Sequence, residues 1–157
     1  MFFRRNKQLP SCSIVTVERQ ITAAIKCNVP SSRIPDAERS LRRTLNASLT
    51  SLDTGSLGPE AMLWHPPVSG QIAMEPGVIV AQAFMSEDYV ICSELPGGQA
   101  GHHLFEGPLE RLPDAWQALF EWCTREKLKL AGTNWQIYGE HVADPAKQRT
   151  CLYALLA

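Results

Sequence analysis

Two short stretches, Ala61-Met62-Leu63-Trp64 and Trp135-Gln136-Ile137-Tyr138, carry the residues best suited to recognising an organic molecule. Read as strands, they send successive side chains to opposite faces. With Ala61 and Leu63 in the core, and Trp135 and Ile137 likewise, Met62, Trp64, Gln136 and Tyr138 share the other face. Aromatic walls with few polar groups suit a flat or cationic organic ligand. The competing reading is that Trp64 and Tyr138 simply cover the sheet. A third stretch alternates in the same way. Gln99, Gly101, His103 and Phe105 form one row, and Ala100, His102, Leu104 and Glu106 form the other. The second row adds His102 and Leu104 to the ligand-binding face, unless a bulge at Pro96-Gly97-Gly98 reverses the register.

Other chemistries find less support. The five cysteines are scattered, odd in number and include no C-x-x-C pair. That pattern predicts reduced, mostly buried thiols and a cytoplasmic protein, with Cys27 and Cys123 as small hydrophobes rather than nucleophiles. His102 and His103 are adjacent and point to opposite strand faces, which argues against a metal site. No cofactor motif and no catalytic constellation emerges. His102 and Glu106 are the only local acid–base candidates, and His102 reads more readily as an ordinary exposed strand histidine. With a formal net charge of −1, the chain lacks the basic excess of a nucleic-acid-binding domain. Arg4, Arg5 and Lys7, and Arg39, Arg42 and Arg43 on a predicted helix, read as solvated surface. Met1-Phe2-Phe3 precedes the basic residues, the wrong order for a secretory signal, and no apolar run approaches the ~18 residues of a membrane span.

The elements that position these residues come in pairs. At an offset of 78 residues, Pro30-Ser-Ser-Arg33-Ile34-Pro35-Asp36-Ala37 aligns with Pro108-Leu-Glu-Arg111-Leu112-Pro113-Asp114-Ala115. Five of these eight positions are identical, where about one would match by chance. A strand-like stretch precedes each motif, Ser13 to Cys27 and Tyr89 to Glu106, and a helix follows. Pro35 and Pro113 suit a first helical turn, Asp36 and Asp114 complement its dipole, and Ala37, Leu41, Leu45 and Leu49 recur at helical spacing, as do Ala115, Leu119, Phe120 and Cys123. Gly58 and Gly132 then open second strands, and Val78 to Phe84 and Thr150 to Leu156 form the last ones. The fold class is therefore α+β: a tandem duplication of a β-α-β-β module (pseudo-repeats about 13–84 and 89–157) within one domain spanning 1–157. Its strands are predicted to form one curved antiparallel sheet, with both helices on one face and a ligand groove on the other. Ile21, Ala23, Ile25 and Cys27 are expected to pack on the helices, and Thr22, Ala24 and Lys26 to point to the open face.

From Phe105-Glu-Gly-Pro-Leu-Glu-Arg-Leu-Pro-Asp-Ala-Trp116-Gln-Ala-Leu-Phe-Glu-Trp122, through Ala131-Gly-Thr-Asn-Trp135-Gln136-Ile-Tyr138, to Leu152-Tyr153, the sequence resembles the GyrI-like family, the effector-binding domains of AraC- and MerR-type regulators. The likeness runs from about Ile14 to Leu156. It implies two β-α-β-β modules around a central groove that binds a small organic ligand. Family members sense cationic or aromatic drugs, bind DNA gyrase, or hydrolyse strained cyclopropane-bearing compounds. The expected function is small-molecule binding. A hydrolase on the same fold and a module contacting a protein such as gyrase, through Arg39, Arg42 and Arg43, are the alternatives. The chain leaves no room for the helix-turn-helix of the regulators, so a stand-alone module is expected, with no direct nucleic-acid contact. Many relatives have Glu in a Trp-Glu-x-Tyr pattern where this chain has Gln136. The amide keeps the size but loses the charge and basicity, which weakens both a cation preference and catalysis, unless Glu60, Glu75 or Glu106 leans in.

Overall fold

Pro35 and Pro113 lie in the first turns of α1 (Ile34–Ser48) and α2 (Leu112–Arg125), where the missing N–H has no partner to lose. Asp36 and Asp114 place negative charge at the positive end of each dipole. A single 3-10 turn leads into each helix, Ser31–Arg33 and Leu109–Arg111. The computed structural model describes residues 11–157, so the readings of Met1–Phe3, Arg4, Arg5 and Lys7 lie outside the described residues. No helix among the described residues is long and apolar enough to cross a membrane.

The strands are β1 (Cys12–Val17), β2 (Gln20–Ala24), β3 (Cys27–Pro30), β4 (Leu57–Trp64), β5 (Gln71–Val80), β6 (Ile91–Leu95), β7 (Gly98–Glu106), β8 (Leu130–Tyr138) and β9 (Arg149–Leu156). All pair antiparallel in one sheet of order β1-β7-β9-β8-β4-β5-β2-β6, with β3 continuing β2 along β5. The expected α+β class and single antiparallel sheet are what the structure shows.

The stretch before each helix is not one straight strand; the sequence signalled a break only in the second, at Pro96-Gly97-Gly98. In each case it bends into two, and the first piece crosses to the other half: β1 pairs with β7, and β6 pairs with β2. The register is continuous through the bend, with Val17 opposite Gly98 and Gln20 opposite Leu95. A long folded ribbon thus ties the two outer ends of the sheet together.

That ribbon decides which face is open. On one face each helix covers its own core. Leu45 and Leu49 of α1 pack with Ala23, Ile25, Val78 and Val80, and Leu112, Ala115, Leu119 and Cys123 of α2 pack with Leu152 and Ala154. Ile21, Ala23 and Ile25 thus face α1 as the alternation predicts. Gly101 lies beneath α2, where an added Cβ would sit 3.0 Å from the Cys123 sulfur, so the missing side chain lets the helix approach. The opposite face was predicted to be the open one, and it is closed. Ala61, Leu63, Leu95, Ala100 and Trp135 form a third core there, joined by Val15, Val17 and Tyr153. Thr22 and Ala24, expected to point to open space, are buried. The physical reason is the bent ribbon, which folds its apolar residues over the sheet and removes that surface from water.

Candidate ligand-binding site

The open groove therefore lies on the helix-bearing face, between α1 and α2 and above the central strands β4 and β8. Its volume is about 990 Å³, and its lining includes Glu38, Arg42, Trp64, Trp116, Gln136 and Tyr138. β4 and β8 pair with Met62 opposite Gln136 and Trp64 opposite Asn134. Trp64 and Tyr138 thus flank the central Met62–Gln136 pair from opposite ends rather than standing directly across from each other.

Alternation explains which side chains reach the groove. Ala61, Leu63, Trp135 and Ile137 enter the third core, which turns Trp64, Gln136 and Tyr138 toward the helices. Met62 shares their face but is fully buried and does not line the groove. His102 and Leu104, named with them from the sequence, lie on the far side of the sheet. His102 stacks on Tyr153 at 4.7 Å and bonds the Leu152 carbonyl, while Leu104 is exposed. Their row was assigned to the correct face of β7. That face is simply not where the groove is.

The polar floor has one hydrogen-bond direction. An indole N–H only donates, so Trp116 Nε1 fixes Gln136 Oε1 as its acceptor at 2.8 Å. The Gln136 amide nitrogen must then donate, and it reaches the Tyr138 hydroxyl at 2.7 Å. Tyr138 passes the direction on, donating to Glu38 Oε1 at 2.9 Å. Burial pushes the Tyr138 hydroxyl well above the usual phenol range, and the Glu38 charge pushes it further. Glu38 on α1 is thus the acid at the end of the relay, where the sequence had offered Glu60, Glu75 or Glu106. Of those, Glu60 lines the groove. Glu75 is buried on the opposite face against His65 and Ser93, and Glu106 pairs with Arg149 at 3.1 Å.

Arg42 corrects the reading of the helix arginines as a solvated row. Its side chain is only 13% exposed. Its two terminal nitrogens donate to the carbonyls of Gly77 and Ala61, both at 2.9 Å, while Arg39 and Arg43 stay exposed at the rim. Trp116 forms the facing wall, edge-on to Trp64 at 5.7 Å and stacked on Phe120. Sequence reasoning missed Glu38, Arg42 and Trp116 as groove residues because it sought the site on strands alone. The i, i+4 spacing of Glu38 and Arg42 is the one signal that could have pointed to them.

No family model and no curated protein matches the sequence. Solved structures do match in fold. The C-terminal domain of EcmrR superposes with a TM-score of 0.71 at 16% identity, over 95% of this chain and 98% of that one. EcmrR in its complex with DNA gives 0.81 at 15% identity, over 97% of this chain, which spans 59% of the EcmrR chain. SAV2435, solved bound to tetraphenylphosphonium, gives 0.70 at 12% identity, over 94% of each chain.

Proposed function

We propose that this chain, which has the GyrI-like fold, holds a small aromatic molecule in the groove between α1 and α2. The observation that carries the reading is the pair of indoles. Trp64 and Trp116 meet edge-on at 5.7 Å and 89°, forming a corner beside Tyr138 in an open groove. Partly buried aromatic walls over a hydrogen-bonded polar floor are suited to stacking a ligand and orienting it through few contacts. The groove's size is at the upper end for small-ligand sites, about 300–1,000 Å³. SAV2435, with the same fold, was solved with a tetraphenyl compound bound, which fits the same reading. His102 and Glu106, the groups a hydrolytic reading would need, lie away from this groove and give it no support.

Titration with the neutral dye N-phenyl-1-naphthylamine, read by tryptophan fluorescence, tests the proposal. Saturable quenching is expected. Trp64→Ala and Trp116→Ala should each weaken binding roughly tenfold, since an aromatic contact and its buried area together supply about 1–2 kcal/mol. If both variants bind the dye as the parent does, the ligand sits elsewhere and the proposal fails.

A further inference from the structure

Arg42 occupies the centre of the groove's charged floor. Its guanidinium carbon lies 5.7 Å from the centroid of the Tyr138 ring. Its nitrogens stand 3.6 Å from Glu38 and 3.8 Å from Glu60. An aromatic ring flanked by two carboxylates is the set of groups that attracts an organic cation from solution. Here the protein's own side chain already stands among them.

The anchoring shows that this placement is fixed. The bonds from Arg42 to the Gly77 and Ala61 carbonyls are short, at 2.9 Å, whereas its carboxylate contacts are long. The backbone therefore holds the guanidinium more closely than either carboxylate does. Swinging the side chain away would give up two hydrogen bonds to backbone carbonyls, a cost that a ligand would have to repay. Glu38, which also accepts from Tyr138, is partly neutralised as a result, and Gln136 brings no charge. Arg39 and Arg43 line the same α1 wall, and neither makes an ion pair among the described residues.

We infer that Arg42 is a built-in occupant of a cation subsite, so that the groove selects aromatic ligands without positive charge and rejects organic cations. The inference rests on the binding reading above and narrows it to a ligand class. Two single substitutions reverse the selection by different routes. Arg42→Gln removes the charge while keeping a donor for one carbonyl. Gln136→Glu leaves Arg42 in place and adds a carboxylate beneath Tyr138.

The test uses two ions of matched shape and opposite sign, tetraphenylphosphonium and tetraphenylborate, titrated against the full chain and both variants. The neutral dye is run alongside as the control for binding itself, and thermal melts show that each variant is folded. The parent should bind the cation no more tightly than the anion. Each variant should shift the ratio toward the cation by at least about tenfold, because one unit charge at this range is worth on the order of a hundredfold before solvent screening. A parent that prefers the cation tenfold or more overturns the inference. So does an unchanged ratio in the variants while the dye still binds. Should Arg42→Gln fail to fold, Gln136→Glu decides alone. Loss of dye binding to the groove in the parent overturns the binding reading and this inference together.

Discussion

Replacing Trp135 with alanine is expected to cost about 3–5 kcal/mol and to lower Tm by roughly 6–20 °C, without any direct loss of a groove contact. Trp135 is 2% exposed and stacks on Tyr153 at 5.2 Å and 10°, in the core that closes the far face of the sheet. Its neighbours Ala61 and Ala100 are small and belong to paired strands, so the surroundings cannot collapse into the space it leaves. A domain of this size holds about 5–15 kcal/mol in total, so the variant spends a large share of that margin. Trp116→Ala, at the partly buried groove wall, should cost well under half as much. Denaturant melts of the two variants check the contrast. Equal losses would mean that the third core is no more important to stability than the groove wall.

Raising the pH above about 10 should destabilise the protein through Tyr138. Burial, reinforced by the Glu38 charge, holds the Tyr138 proton in the folded state. The half-buried Tyr153 is pushed up to about 12 by burial first and then by Cys151. An unfolded chain releases phenol protons near pH 10, so above that point the unfolded state binds fewer protons and falls in free energy relative to the fold. The stabilisation is thus complete below about pH 10 and declines above it, by up to about 1.4 kcal/mol per pH unit for each phenol that stays protonated. Tyr153 contributes less than that limit because solvent reaches it. In Tyr138→Phe, the slope of stability against pH should fall by about one proton's worth, for a cost near neutral pH of only about 1 kcal/mol. Urea melts between about pH 8 and pH 11 measure the difference. Identical slopes in the parent and the variant would show that burial and the Glu38 charge do not hold the Tyr138 proton in the fold.

Much of this organisation can be read from the chain. The two prolines with their following aspartates mark helix starts, because only a first turn tolerates a missing N–H. Strand parity puts Trp64, Gln136 and Tyr138 on one face, because the strand period of two leaves no other choice once Ala61, Leu63, Trp135 and Ile137 are taken as core. The resemblance to GyrI-like domains points to the fold that the solved structures share. Parity, however, says only which residues lie together. It does not say whether their face meets helices, water or another part of the sheet.

That second question was answered by contacts distant in sequence. β1 and β6 each cross to the opposite half, and the resulting ribbon fills the face where the groove was expected. His102 and Leu104 were placed on that face by sound alternation and are excluded from the groove by this one topological fact. The helices supply three groove residues: Glu38 and Arg42 from α1, and Trp116 from α2, reach side chains up to 100 positions away in the chain. By itself the sequence determined the element types, their order and the residue rows, all of which depend on local geometry and burial period. Only the tertiary structure decided which face stays open and which charge stands in it, because both depend on how a curved sheet closes on itself and which backbone carbonyls it leaves for Arg42 to bond.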